Sequence, residues 1–510
     1  MLTGGTVIDG TGAPARREDV LIRDGVIAEV SGAHDVPRRD VTGLVVCPGF
    51  VDIHTHSDLT LLSDARGLSK VHQGVTTEVV GNCGLGVTGS PDVREAVGYL
   101  DLDPAVAWTW RDFPGYLDTL AAAGPGVNVA SLVGHLVLHA DVAGFGDRPA
   151  TMAQIHKMCG LLRDALDAGA LGLSTGLVYA PLPYVQEDEL LALARVTAEA
   201  GKIFTWHVRS YDDGLTESVA QAIRVAREAG CRTQISHLAA VGRRNWGMVR
   251  DVLDLVDRAN ADGCSVGVDI YPYLHGNAPL CQLLPAEVQE GGPGVWVTRL
   301  ADPGVRAGIE AIWRDRPTTW DEITISWTAT PHAAVGRTVG EIAGERGVSG
   351  DEITLDLLAE LGAGVMMTAG GRSEDDLRTV LGHPAAVVAS DGQALDPGGV
   401  TGSGVPHPRS YGCFPRYLSR YAKDLPDGIR RCTSAPAARV GLNRGVLRPG
   451  APADIVVFDP GKVADRATFT APHQFADGID LVVVNGRVTV DRGEHTGVRA
   501  GQVLRRGNPT

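Results

Sequence analysis

The stretch Pro48-Gly49-Phe50-Val51-Asp52-Ile53-His54-Thr55-His56-Ser57-Asp58 decides how the rest of the chain is read. An apolar run leads straight into two histidines at spacing i, i+2. Side chains alternate faces along a strand, so both imidazoles leave the strand end on the same side. Two neutral imidazoles placed that way can grip one metal ion. Taken alone, the pair fits ordinary histidines in a strand-to-loop turn equally well, and the surroundings have to choose.

Working outward, the apolar run GFVDIHTH (49–56) is followed by TTEVVGNCG (76–84), NVASLVGH (128–135), ALGLSTG (170–176), IFTWHVR (203–209), TQISHL (233–238), SVGVDIYPY (265–273) and AAVVASDG (385–392). Helical stretches such as MAQIHKMCGLLRDALDAG and EDELLALARVTAEAG separate them. A βα unit repeated in this way predicts an α/β chain folded as a (β/α)8 TIM-like barrel, whose active site lies at the C-terminal strand ends. Those ends carry His54, His56, Cys83, His135, Ser174, Thr175, His207, His237, Asp269, Tyr271 and Asp391. A barrel needs apolar layers inside and gains nothing from imidazoles gathered at its mouth, so the clustering points to a metal site.

The flanks have another texture. Residues 1–48 and 442–510 hold short strands with turn punctuation, such as DVLIRDGVIAEVSG and DGIDLVVVNGRVTVDRG, and are expected to fold together as a small β-sandwich. The barrel is then expected over 49–441. It is interrupted at 88–115 and by an insertion at about 278–352, long enough to serve as a lid over the mouth or as an oligomer contact.

A formal net charge of −15 over 510 residues argues against nucleic acid or an anionic membrane as partner. Apolar residues make up 44% of the chain, which suits an α/β enzyme and excludes a disordered protein. No apolar run reaches the roughly 18 residues of a membrane span. The first residues lack the basic and then apolar pattern of a secretory leader. Cys47, Cys83, Cys159, Cys231, Cys264, Cys281, Cys413 and Cys432 are scattered without CxxC pairs, as reduced thiols of a cytoplasmic protein would be.

In order, PGFVDIHTHSD, GVTTEVVGNCG, STGLVYAP, HVRSYDDG, SHL, DIYPY, ASDG, PHPRSYGCFPRYL and GVLRPGAPADIVVFDP cover nearly the whole chain. Together they resemble the amidohydrolase superfamily and, within it, the D-aminoacylase (N-acyl-D-amino-acid deacylase) family. The resemblance implies a metal-dependent barrel beside a β-sandwich made from both chain ends. Many superfamily members bridge two metals with a carboxylated lysine on the fourth strand. Here that strand ends in Ser174-Thr175-Gly176, and none of Lys70, Lys157, Lys202, Lys423 and Lys462 falls at a strand end. Cys83, in a matching NCG motif, is then the expected anionic ligand.

Cys83, His207 and His237 are expected to hold one Zn2+ firmly, with the fourth tetrahedral position left for water or substrate. The resemblance implies a second, weaker position at His54 and His56 that shares Cys83 and Asp391. Asp391 is expected to take the proton of the attacking water and return it to the leaving amine. Arg409 aligns with the family's arginine that clamps the substrate carboxylate, and Tyr271 is expected to add a hydroxyl to that carboxylate or to the oxyanion. Bland readings stand beside these: a turn acid, a loop arginine and a core tyrosine.

Some residues depart from the family pattern. Relatives commonly carry a lysine two residues after the sixth-strand histidine, where this chain has Ala239; Asn277 takes the small polar position after YPY, and His139 replaces a common arginine. Arg243 and Arg244 are nearby cations that could substitute for the lysine. The reading is a zinc-dependent hydrolase of N-acyl, expected D-, amino acids or a related carboxylate-bearing small molecule. A hydantoinase-like cyclic amide hydrolase is disfavoured by the missing lysine, and a non-catalytic scaffold by the retained ligands.

Overall fold

The computed structural model describes residues 1–29 and 35–505. The expected strand residues at 30–32 and the end of the tail, 506–510, lie outside that range. All eight expected runs contain a parallel strand, and these strands fall into two sheets. One joins Phe50–Asp52, Val75–Val80 and Asn128–Ser131. The other runs through Val133–Gly134, Gly172–Gly176, Ile203–His207, Arg232–Ile235, Val266–Ile270 and Ala386–Val388.

The third run is divided at Leu132, so that one half pairs with each sheet. Leu171 N donates to Ser131 O at this junction. At the opposite edges Thr55 bridges Gly392 in parallel, His56 N donates to Gly392 O, and Asp391 N donates to His54 O. The strands are buried on both faces, only Arg232 being partly exposed, because helices cover the outside, as parallel sheets require. Leu215–Ala229, for example, buries Leu215, Val219, Ala222, Ile223 and Ala226 at three- and four-residue spacing.

Both chain ends enter one seven-stranded sheet, in which Val45–Pro48 pairs antiparallel with Ile455–Phe458 and the neighbouring Thr6–Val7 runs parallel. Val46, Ile455, Val457, Leu481 and Val483 give it a core of its own.

The insertion reaches further than its expected end at 352. Gly276–Pro279, Val365–Ala369 and Ile323–Thr328 form a three-stranded antiparallel sheet over a separate apolar cluster that includes Trp296, Trp313 and Leu358. The helix Gly350–Leu361 followed by an apolar strand imitates one more βα unit in sequence, so the expected boundary falls short of the insertion's end. No helix among the described residues is long and apolar enough to cross a membrane.

Candidate metal centre

Strand ends bring His54, His56, Cys83, His207, His237 and Asp391 together. Ligating atoms of His54, His56, Cys83 and Asp391 lie within 4.8 Å of one another, as do those of Cys83, His207 and His237. Cys83 Sγ is 3.2 Å from His54 Nε2 and 3.6 Å from His237 Nε2, and so belongs to both groups. Asp391 Oδ1 lies 3.0 Å from His56 Nε2 and 3.3 Å from His54 Nε2.

Local folding aims these groups. Ser174 Oγ accepts from Gly84 N and donates to Gly81 O, which ties the Asn82-Cys83-Gly84 turn to the fourth strand end. Asp269 Oδ1 accepts from His237 N at 2.8 Å and lies 3.1 Å from His54 Nδ1, so one carboxylate orients two histidines. Sequence reasoning noticed Asp269 as a strand-end acid but gave it no role. It missed Tyr179 and Tyr211, whose rings lie 5.1 and 5.0 Å from that of His207.

The electrostatics favour a cation. Burial pushes the Cys83 thiol up, yet the His54 charge and the imidazoles of His207, His237 and His54 around it hold it well below its ordinary value. Burial likewise raises Asp391, and the charges of Arg409, His54 and His237 outweigh it and keep the carboxyl ionised. Burial lowers His207, which stays neutral and able to ligate. For His56 burial is overcome by Asp391 and Cys83, which raise the imidazole to about 9.

Zinc fits this donor set. A thiolate and imidazoles are its preferred ligands. Both ring nitrogens of His207, and Nδ1 of His56, are buried without a hydrogen-bond partner among the described residues. A buried polar atom is ordinarily paired, so such atoms call for a ligand.

The other expected residues divide. Arg409 is buried at 3% exposure; its Nη1 donates to Asp391 Oδ2 at 2.7 Å and its guanidinium lies 4.6 Å from the Tyr271 ring centre. The Tyr271 hydroxyl is buried and unpartnered among the described residues. Ala239 is buried and brings no charge. Asn277 Nδ2 donates to Met367 O and Ser326 Oγ inside the insertion's sheet. Arg244 pairs with Asp213 and Asp315, and Arg243 packs over Trp246. Arg209 donates to Gln221 and two backbone carbonyls, a structural role. His135 and His139 both lie 2.8 Å from Glu189 Oε1, in a third buried group beside the centre.

The centre opens into a cavity of about 520 Å³, lined by His56, Cys83, His207, His237 and Asp391 at its floor and by Trp313 and Trp320 of the insertion above.

Comparison with known proteins follows the same lines. A sequence model described as the amidohydrolase family matches residues 39–490. An N-acyl-D-aspartate deacylase of Alcaligenes xylosoxydans xylosoxydans is 36% identical, over 100% of this chain and 95% of that one. A crystal structure of N-acyl-D-glutamate deacylase from Bordetella bronchiseptica, complexed with zinc and a phosphonate mimic of the tetrahedral intermediate, superposes with a TM-score of 0.84 at 36% identity. The match covers 99% of this chain and 98% of that one. A D-aminoacylase with a binuclear metal centre, described by one-metal activation and second-metal attenuation, superposes with a TM-score of 0.84 at 34% identity, over 99% of each chain. With the family matched across most of its length and full-length relatives at this identity, the chain belongs to the amidohydrolase family, among its N-acyl-D-amino-acid deacylases.

Proposed function

We propose that this protein is a zinc-dependent hydrolase that cleaves the linear amide bond of an N-acyl-D-amino acid. The two parallel sheets are read as one (β/α)8 barrel with the centre at its mouth. Residues 1–48 and 442–510 are read as a β-sandwich, and 49–441 as the barrel carrying the insertion. The observation that carries the reading is the Cys83 thiol, held within ligand distance of histidines from both groups where no strand-end lysine stands. That arrangement favours the deacylases over hydantoinase-like enzymes. The D configuration rests on the relatives alone. Eight free thiols support a cytoplasmic setting.

Cys83, His207 and His237 hold the firm metal position in this reading; His54 and His56 offer a second that shares Cys83 and Asp391. Zinc held there would polarise the amide carbonyl and acidify the attacking water. Asp391 takes that water's proton on a carboxylate oxygen and returns it to the leaving nitrogen. Arg409 keeps Asp391 ionised and oriented, and with the Tyr271 hydroxyl stands where the substrate carboxylate would be held. Asp269 fixes the ring of His54 and the backbone of His237.

Metal analysis combined with a panel of N-acetyl, N-formyl and N-succinyl D- and L-amino acids, dipeptides and cyclic amides tests the proposal. Zinc near one equivalent, with turnover confined to N-acyl-D-amino acids, is expected. Less than about a tenth of an equivalent, with activity indifferent to a strong chelator, would sink it.

A further inference from the structure

Four arginines line the cavity above the metal centre: Arg209, Arg244, Arg316 and Arg372. Three of them are committed elsewhere. Arg209 donates to Gln221 and the carbonyls of Pro183 and Val185, Arg244 bridges Asp213 and Asp315, and Arg316 pairs with Asp351. Arg409 shares its charge with Asp391, 2.7 Å away. Arg372 differs. Its Nη1 is buried without a hydrogen-bond partner, and no ion pair to it is found among the described residues. An unmatched guanidinium in a partly desolvated wall is costly unless an anion arrives.

Its placement says where that anion would sit. The Arg372 guanidinium lies 4.9 Å from the centre of the Tyr271 ring, the ring that Arg409 also approaches. The Tyr271 hydroxyl likewise has no hydrogen-bond partner among the described residues. A Cβ built on Gly276 would lie 3.0 Å from Arg372 Nη2 and 3.8 Å from the Tyr271 oxygen, so both groups border one small space that glycine leaves clear. Ala239, after the strand Arg232–Ile235, supplies no competing charge.

We infer that Arg372 joins Arg409 and the Tyr271 hydroxyl at the α-carboxylate of the substrate, as a second and specificity-determining cation. The inference rests on the deacylase reading for the identity of the anion. A guanidinium offers two parallel N–H donors to a carboxylate, and the neighbouring hydroxyl can donate a third hydrogen bond. The carboxylate would be gripped on the insertion side of the cavity, with the acyl amide pointing down toward Asp391.

The test uses the zinc-loaded full chain and Arg372→Met, with Arg372→Gln in reserve should the methionine variant not fold. N-acetyl-D-leucine, N-acetyl-D-leucinamide and N-acetyl-D-glutamate are compared. Losing a charge-assisted hydrogen bond should raise KM for N-acetyl-D-leucine roughly 10- to 100-fold. The kcat should stay within roughly threefold, because binding shared by ground and transition states is what is lost. The leucinamide, lacking the charge, should show an unchanged KM, and Arg372→Lys should recover part of the loss. An unchanged KM for N-acetyl-D-leucine, or an equal rise for the leucinamide, overturns the inference. A rise confined to N-acetyl-D-glutamate also overturns it, by placing Arg372 on a side-chain carboxylate.

If the unaltered protein hydrolyses none of the three, the deacylase reading fails on its own account. Calorimetric titration of N-acetyl-D-leucine then decides the site. Binding at least about tenfold weaker to Arg372→Met supports it, and equal or absent binding to both proteins overturns it.

Discussion

Cys83, His237 and Asp391 adopt φ values of 56°, 37° and 52°, in the left-handed region that side chains avoid. Such positions cost on the order of 1 kcal/mol or more each and persist where the surroundings over-determine them. Here they are pinned by His237 N on Asp269, Asp391 N on His54 O, and Gly84 N on Ser174. The sharp turn throws each side chain back over its strand end, into the cavity. Asp391→Asn keeps the shape of the side chain and removes the base. Turnover should fall by about 10²- to 10⁴-fold with zinc content preserved, measured by steady-state kinetics beside metal analysis. Unaltered turnover would remove Asp391 as the acid/base. The proposed ligand types were legible in sequence because a zinc site calls for a thiolate, imidazoles and an acid, and these stand at strand ends. Asp269, Tyr179, Tyr211 and Arg372 were not. Their roles are defined only by contacts across the cavity, and an arginine after Gly370-Gly371 looks like any loop arginine.

Individual elements were readable where apolar runs are bounded by glycine and polar punctuation, which is why each parallel strand overlaps its expected run, with Val75 and Arg232 one residue ahead of theirs. The insertion's end was not, because Gly350–Leu361 and Val365–Ala369 satisfy the periodicity of a βα unit while packing elsewhere. Packing between elements also explains the glycine after Thr175. A Cβ on Gly176 would lie 2.0 Å from Cys83 O, so the fourth strand end can approach the Cys83 turn only without a side chain. Gly176→Ala should push that turn away and weaken zinc binding roughly 10- to 100-fold while leaving far-ultraviolet circular dichroism unchanged. Full zinc occupancy against a competing chelator would show that the turn tolerates the methyl group. One layer out, Glu189 on helix Glu187–Glu199 meets His135 and His139 of helix His135–Ala143. Burial raises this carboxyl, but hydrogen bonds from the two histidines prevail and hold it at about 2, against 4.5 ordinarily. A depressed carboxylate stabilises the fold fully above its unfolded value and loses that contribution as pH falls through its folded one. The advantage over Glu189→Gln, about 3 kcal/mol above pH 4.5, should therefore shrink between pH 4.5 and pH 2. Urea unfolding of both proteins across that range measures it, and a pH-independent difference would contradict the assignment.

At the scale of the molecule, the first and last parallel strands must meet for the centre to exist, because His54 and His56 come from one and Asp391 from the other. Beneath that seam lies Lys70, with no solvent exposure. Its ammonium donates to Asp52 Oδ2 at 2.9 Å and Ser390 Oγ at 2.8 Å, and lies 3.6 Å from Glu78 Oε2. Asp52 belongs to the first strand, Glu78 to the second, and Ser390 directly precedes Asp391. One buried cation thus links three segments, two residues from the metal ligands on one side and one residue on the other. A buried ion pair adds little net stability over an apolar replacement of the whole set, but removing one partner strands the others uncompensated. Lys70→Met leaves Asp52 and Glu78 buried without their cation and should cost about 3–5 kcal/mol of unfolding free energy. Because the seam positions both halves of the centre, zinc retention against a chelator should fall together with the urea midpoint. Restoring the cluster's original net charge with Asp52→Asn in the Lys70→Met background should recover part of the midpoint. An unshifted midpoint for Lys70→Met would mean that backbone pairing between Thr55 and Gly392 closes the seam unaided. A lowered midpoint with undiminished zinc retention would separate the seam's stability from the alignment of the centre.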